Sequence, residues 1–184
     1  APDFTAITTT GPLTLSEYNK GSWVVMFSHP ADFTPVCTTE LSGFAKEKDF
    51  FANHNTKLIG LSIDSIHSHI AWVNAVQEKI GVLFEFPIIA DIDMKIANLY
   101  GMLQPGESET AAVRAVFFID PAGKIRLIMY YPLNVGRNMA EIKRVLLALQ
   151  TVYEHSVACP LDWQSGDKVI VPAPKTIEAL AERK

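Results

Sequence analysis

Phe27-Ser-His-Pro-Ala-Asp-Phe-Thr-Pro-Val-Cys-Thr-Thr-Glu-Leu41 joins two different hydrophobic patterns. Leading into it, residues 22–27 form an apolar run that reads as a buried strand. Beyond it, Val36, Leu41, Phe44 and Phe51 recur at helical spacing. The junction carries helix-start chemistry. Thr34 suits the N-cap, and Pro35 suits the first helical position, where its missing N–H costs nothing. The spacing predicts a helix over 34–52. Cys37 then falls in the first turn, where unsatisfied backbone N–H groups and the helix dipole favour negative charge. The thiolate is the reactive form of a cysteine.

Outward from this junction, residues 57–63 form a second apolar strand. Strand, helix and strand in that order imply a parallel βαβ unit. Asp64 and Ser65 can start a helix that runs to about residue 80, its inner side drawn from Ile66, Ile70, Val73 and Val76. His67 and His69 lie two apart, so they face different sides of that helix and are expected in solvent rather than on a shared metal. His54, between two Asn residues, is expected at the C-terminal cap of the preceding helix. Residues 86–90 read as a third strand, 91–100 as a short helix and 101–110 as a loop. Residues 111–119 and 124–131 are strands around Asp120-Pro-Ala-Gly123, which has type I turn chemistry. Upstream, residues 4–15 read as short edge strands and turns. Met139, Ile142, Val145, Leu146, Leu149 and Val152 form a helical stripe expected to pack in the core. After His155, Pro160, Pro172 and Pro174 with the small apolar run 169–171 suggest an irregular arm. The fold class is therefore α/β, with one domain over 1–155 and an irregular arm over 156–184.

Composition narrows the function classes. The net charge of −4 and a pI near 5.7 argue against a nucleic-acid surface, and no basic cluster overrides that. The longest apolar stretches are far too short to span a bilayer. Two cysteines, Cys37 and Cys159, are too few for a disulfide framework, and neither sits in a C-x-x-C pair; this usage fits a reducing compartment. The chain opens at Ala1-Pro2-Asp3 without a signal-peptide pattern. A cytoplasmic location is expected, or an organelle where a targeting segment has been removed.

The words from Ser28 to Glu40, with Ala1-Pro-Asp-Phe4 upstream, closely resemble the peroxiredoxins. Within that family, His29 before Pro30, Gly136-Arg-Asn138 and Pro160-Leu-Asp-Trp163 look like the one-cysteine, peroxiredoxin-6-type subgroup. The resemblance runs over nearly the whole chain. It implies a thioredoxin-like fold with the peroxiredoxin additions and a C-terminal arm. It also implies a thiol-dependent peroxidase that reduces hydrogen peroxide and alkyl hydroperoxides through a cysteine sulfenic acid, with no metal, flavin or nucleotide cofactor.

Each candidate residue also has an ordinary reading. A typical cysteine, with a pKa of about 8.5, is only a few per cent thiolate at neutral pH, so complete ionisation gains some thirtyfold at most. Because nucleophilicity falls with pKa, a cation and oriented donors are needed as well. Arg114, opening an apolar strand, would usually be a surface charge; the need for that cation makes it a candidate. Likeness to the family's active-site Arg then implies that its planar fork orients a peroxide oxygen. Thr34 can cap the helix and also hydrogen-bond the peroxide, as the matching Thr does in the family. Pro30 is an ordinary turn residue on composition alone, and by resemblance a wall of the pocket. Glu40, three residues after Cys37, reads as a surface charge or, by resemblance, as the bridge between Arg114 and a second arginine, Arg137. His29 touches the pocket in this subgroup and is assigned no catalytic role.

Cys159 stands where the subgroup often carries Thr. It is a bystander, a resolving partner or an accessory thiol, with the bystander preferred. An external thiol, glutathione or a thioredoxin-type protein, would then complete the cycle. The resemblance implies a homodimer in which the C-terminal arm, 156–184, contacts the partner subunit, or a ring of such dimers. A lipase activity ascribed to some relatives is not carried over, because Lys20-Gly-Ser-Trp-Val24 lacks the flanking Gly pattern and Ser16 stands where the His would align. A thiol–disulfide oxidoreductase is disfavoured because Cys37-Thr-Thr-Glu40 has no second cysteine. A redox-gated holdase, or a sensor relaying oxidation to a partner protein, is the alternative to peroxide reduction.

Overall fold

The computed structural model describes residues 1–176. Three strands at the centre follow from continuous apolar runs. β3 (Trp23–Ser28) and β6 (Arg114–Ile119) are buried at every position, and β4 (Thr56–Ser62) nearly so. Strands without a wet face lose the polar–apolar alternation of a half-exposed sheet. β3 pairs with β4 in parallel, as the strand–helix–strand order requires, and with β6 antiparallel.

Outside them lie β1 (Thr5–Thr8), β2 (Gly11–Thr14), β5 (Ile88–Ala90) and β7 (Ile125–Tyr131). The seven strands run β2-β1-β5-β4-β3-β6-β7 in one mixed sheet. β7 alternates between exposed and half-buried positions, as expected of an edge strand with one solvated face. It is joined to β6 by the expected turn: the Gly123 N–H donates to the Asp120 carbonyl at 2.9 Å, and the Asp120 carboxylate accepts from the N–H groups of Ala122 and Lys124.

The chain divides into two compact units, 1–137 and 138–184. The first contains the whole sheet with α1 (Leu15–Asn19), α2 (Pro35–Lys46), α3 (Lys48–Asn53), α4 (Ile66–Ile80) and α5 (Lys95–Leu99). The second contains α6 (Met139–His155) and the segment after it. The expected boundary at 155/156 therefore falls inside the second unit. Arg144 on α6 donates to the Trp163 carbonyl at 3.2 Å, and Ala158 pairs with Ile170 in an isolated antiparallel bridge. The expected arm runs past the described residues from position 177. On α6, Ile142, Val145 and Leu146 of the predicted stripe are buried, and Asn138 caps the helix by accepting from the Glu141 N–H.

Three local expectations are corrected. The helix over 34–52 is two helices, broken at Glu47, whose N–H is shared between the carbonyls of Gly43 and Phe44 at 3.2 Å each. The turn tightens there, yet Phe44 and Phe51 stay buried on either side, so the apolar periodicity runs through the break. The helix expected over 91–100 forms only at Lys95–Leu99, because the Asp91 carboxylate reaches forward to the N–H groups of Ile96 and Ala97. On α4, which Ser65 caps and Gly81 ends in left-handed backbone (φ 74°), the inward residues are His69, Trp72 and Val76. Ile70 is 47% exposed. Burying an indole removes more apolar area than burying an isoleucine, and that outweighs the aliphatic stripe. No helix among the described residues is long and apolar enough to cross a membrane.

Alternation along β3 sends Val24 and Met26 into a core with Leu61, Phe117 and Ile119, and Phe27 to the opposite face. There an aromatic chain runs from Trp72 through Phe84 and Phe86 to Phe27, which stacks on Phe44 of α2 with centroids 3.8 Å apart and planes 5° from parallel. This stack seats α2 against β3. Phe44→Ala is expected to lower stability by about 3–5 kcal/mol, read from the urea midpoint; a loss below about 1 kcal/mol would show that the stack does not anchor the helix.

Candidate active site

α2 begins shortly past the C-terminal end of β3, so its first turn faces the start of antiparallel neighbour β6. Pro35 occupies the first helical position and Cys37 the third. Arg114 is the first residue of β6. Ser28, the last residue of β3, ties the two strands together at this level: its hydroxyl donates to the Val113 carbonyl at 2.6 Å and accepts from the Ala115 N–H at 3.1 Å. Arg114 is thereby fixed on both sides in sequence.

Cys37 is wholly buried, and Arg114 Nη1 lies 3.3 Å from its Sγ. The same Nη1 donates to Glu40 Oε2 at 2.6 Å, and Arg114 Nε donates to the Leu133 carbonyl at 2.8 Å. Glu40 is one helical turn beyond Cys37 and shares its face. Its carboxylate is gripped bidentately by Arg137, with Nε on Oε1 at 2.9 Å and Nη2 on Oε2 at 2.7 Å, while the Arg137 backbone N–H adds a third bond at 2.7 Å. Arg137 Nη1 reaches the carbonyls of Ser28 and Ala115 at 2.8 and 2.9 Å. Its guanidinium also lies over the rings of Phe27 and Phe44, 5.5 and 5.7 Å from their centroids. Burial pushes the Glu40 carboxyl up, but the Arg137 hydrogen bonds and charge, then the Arg114 charge, outweigh it and hold the group below the usual carboxylate range. Two guanidiniums share one carboxylate, so one positive charge is left facing the sulfur. A thiolate would balance it.

The segment between β3 and α2 carries the other expected residues. Thr34 stands at the N-cap position with extended backbone, but its hydroxyl does not cap the helix. It donates instead to the Ala31 carbonyl at 3.0 Å, which leaves the oxygen free to accept from a ligand. Pro30 is half-buried in the same turn. His29 is wholly buried, and its Nε2 lies 2.8 Å from Asp32 Oδ1. The other Asp32 oxygen receives the Ser68 hydroxyl and His69 Nδ1, each at 2.8 Å. Burial pushes Asp32 up, yet the hydrogen bonds from His29 and His69 prevail and set its carboxyl at about 2. Asp64 supports the turn by accepting from the Asp32 N–H at 3.0 Å and from the Ser62 hydroxyl at 2.6 Å.

The structure thus brings Cys37, Arg114, Glu40 and Arg137 into one hydrogen-bonded group, with Thr34 one helical turn from the sulfur. Cys159 belongs to the second unit; it is half-buried, with Sγ 3.8 Å from the Ala148 carbonyl. Burial pushes its thiol up despite the Arg144 charge. Both cysteines are free thiols. Two members of the neighbourhood went unread in the sequence, Asp32 and His69. The solvent placement expected for His69 is wrong: only His67 is exposed. The signal was present in the spacing of His69, Trp72 and Val76, which share a helical face.

Comparison with known proteins agrees with this geometry. Residues 1–128 match the model of the AhpC/TSA family, and residues 148–184 match the C-terminal domain of 1-Cys peroxiredoxin. The chain belongs to the peroxiredoxin family, and its fold is the thioredoxin-like fold of that family. It is 53% identical to a peroxiredoxin of Methanosarcina mazei over the whole chain and 86% of the relative. It is 55% identical to peroxiredoxin 2 of Caldanaerobacter subterraneus, again over the whole chain and 82% of the relative. Among solved structures, a yeast mitochondrial 1-Cys peroxiredoxin superposes with a TM-score of 0.87 at 47% identity, covering 94% of this chain and 84% of that one. A cysteine-to-serine mutant of peroxiredoxin 6 from Arenicola marina gives 0.90 at 39% identity, covering 98% and 85%.

Two stability outcomes follow from the paired charges. Glu40→Gln leaves two buried guanidiniums sharing no anion, and urea unfolding should show a loss of about 3–5 kcal/mol; an unchanged midpoint would contradict the bridging role. Because the folded-state pKa of Asp32 is depressed, its contribution is fully present above the ordinary value of 3.8 and is lost as pH falls through about 2. Asp32→Asn should therefore flatten the dependence of stability on pH between those values, and an acid limb as steep as that of the parent would refute it.

Proposed function

We propose that Cys37 is the peroxidatic residue of a thiol-dependent peroxidase acting on hydrogen peroxide and alkyl hydroperoxides. The chain is a peroxidase oxidoreductase by family. What carries the assignment of residues is the contact of Arg114 Nη1 with the buried Cys37 Sγ at 3.3 Å. In this reading the Cys37 thiolate attacks one oxygen of the O–O bond. A new S–O bond forms, the O–O electron pair leaves with the distal oxygen, and that oxygen takes a proton and departs as water or an alcohol. Cys37 becomes a sulfenic acid.

Arg114 stabilises charge as it passes from sulfur to the departing oxygen, at a point where water is excluded and a fixed donor has most effect. With its own hydrogen committed to the Ala31 carbonyl, the Thr34 hydroxyl accepts from the peroxide O–H and so sets the peroxide's direction. Pro30 limits solvent at the same end of the pocket. Glu40 and Arg137 act one step back, by keeping Arg114 aimed.

An external thiol returns the sulfenic acid to the thiol through a mixed disulfide that a second thiol cleaves. The yeast relative is described as resolved through glutathione and thioredoxin systems, and a reductant of that class fits a chain whose second cysteine is a poor nucleophile. Cys159, with its thiol pushed up by burial, is read as a bystander. Self-association as a homodimer, through the C-terminal segment that matches the C-terminal domain of 1-Cys peroxiredoxin, completes the reading. The two free thiols favour a reducing compartment, such as the cytoplasm.

Cys37→Ser should abolish peroxide consumption, and Arg114→Ala should slow Cys37 oxidation about 10²–10³-fold, both followed by stopped-flow fluorescence and mass spectrometry of the sulfenic acid. Parent-rate turnover in Cys37→Ser would end the account. After one equivalent of peroxide, non-reducing gels should show no Cys37–Cys159 bridge, and Cys159→Ser should turn over normally with external thiol; a bridge would make Cys159 a resolving residue.

A further inference from the structure

Arg114 reaches the Cys37 sulfur with Nη1 and is steadied through Nε, which donates to the Leu133 carbonyl at 2.8 Å. Leu133 belongs to the segment after β7, residues 132–137, which packs against α2 beside Cys37. A Cβ on Gly136 would stand 3.5 Å from Val36 Cγ1 and 3.8 Å from Glu40 Oε1. Arg137 ends the segment with its N–H and side chain on Glu40. The aim of Arg114 is therefore only as steady as residues 132–137.

What steadies that segment lies partly outside the site. The Val135 N–H closes a turn on the Pro132 carbonyl at 3.2 Å, and the Leu133 side chain is half-buried against the core. The Leu133 N–H donates to Glu107 Oε2 at 3.2 Å. Leu133 is thus held at both ends of its backbone, the N–H by Glu107 and the carbonyl by Arg114, and it cannot rotate without losing one of them.

Glu107 is placed by its loop. Gln104-Pro105-Gly106-Glu107 has the arrangement of a type II turn: Pro stands second, Gly106 third at φ 90°, and the Glu107 N–H donates to the Gln104 carbonyl at 3.1 Å. Glycine takes that backbone without steric cost. The base of the loop is anchored in the core, where the Val113 N–H donates to the Met102 carbonyl at 2.9 Å and both residues are buried. Val113 precedes Arg114, so the loop that carries Glu107 is tied at its base to the strand that carries the arginine.

We propose that Glu107 is a positioning residue of the peroxidatic site: by accepting the Leu133 N–H, it fixes the Leu133 carbonyl that aims the Arg114 guanidinium at Cys37. Glu107 is exposed and acts through two intervening groups. A single hydrogen bond of this kind shifts a population by about three- to tenfold, which sets the size of the effect. The kinetic part of this inference rests on the reading of Cys37 as the reacting sulfur; the hold on Leu133 does not.

Stopped-flow fluorescence of Cys37 oxidation by hydrogen peroxide tests it on the reduced full chain, with amide NMR alongside. Glu107→Ala should oxidise about three- to tenfold more slowly than the parent. Glu107→Gln keeps an acceptor for the Leu133 N–H and should return the rate to within about twofold of the parent. In an Arg114→Ala background, Glu107→Ala should cost nothing further, because the guanidinium it aims is gone. In the parent, the Leu133 amide proton should shift downfield as the Glu107 carboxyl ionises. Parent-rate oxidation in Glu107→Ala would overturn the proposal. So would a Gln variant as slow as the Ala one, or an equal loss with Arg114 already removed. A Leu133 amide that ignores the ionisation of Glu107 would overturn it without any variant having to fold. If that amide responds but peroxide leaves Cys37 of the parent unoxidised, the functional reading and the kinetic role fall while the hold on Leu133 stands.

Discussion

The Glu40 carboxylate, shared between Arg114 and Arg137, is the interaction on which the site depends. It draws a helix, the start of a strand and the segment after β7 to one point, and it does so with charges that would be prohibitively costly unpaired at this depth. The bidentate grip of Arg137 on Glu40 and its two carbonyl contacts leave that guanidinium almost no freedom. Arg114 is the looser member, with a single bond to the same carboxylate and one to the Leu133 carbonyl, and it is the one that reaches the sulfur. The three-residue spacing of Cys37 and Glu40 on α2 makes this geometry available, because it stacks the Cys37 sulfur and its brace on one helical face. In the proposed reaction the brace supplies the cation that a departing oxygen requires.

The same physical rule governs the turn between β3 and α2. Asp32 is buried only because His29, His69 and Ser68 all donate to it, and its own N–H is taken by Asp64. Phe33, beside it, sits in left-handed backbone at φ 57° and is 59% exposed, so this turn is fixed by polar contacts rather than by its aromatic residue. Two polar networks therefore flank the first turn of α2, one through arginines and one through histidines. The aromatic stack of Phe27 on Phe44 sits beneath the first of them and couples site geometry to core packing.

How much of this is legible in the amino-acid order varies with the range of the interaction. The strand-to-helix junction, the parallel βαβ unit and the Asp120–Gly123 turn are readable because each is decided by neighbours in the chain. Cys37 is readable from its place after Thr34 and Pro35, whereas Arg114, Glu40 and Arg137 need a family likeness, since nothing local says that positions 40, 114 and 137 meet. The misreadings have physical causes as well. An aliphatic stripe on α4 hides one containing His69, because a histidine is buried only when distant acceptors await it, here Asp32 and the Ile89 carbonyl. The Thr34 hydroxyl finds the Ala31 carbonyl before it finds the helix end, and a shared hydrogen bond at Glu47 splits a helix whose apolar pattern is unbroken.

The central claim is that Glu40 acts on the sulfur only through Arg114, and a double-mutant cycle on the rate of Cys37 oxidation by hydrogen peroxide tests it most directly. Glu40→Gln, Arg114→Ala and the pair would be compared under one set of conditions. The brace predicts strong coupling: with Arg114 gone, removing Glu40 as well costs almost nothing further. Losses that simply multiply would mean that the two residues act independently, and that the shared carboxylate is not what aims the guanidinium at Cys37.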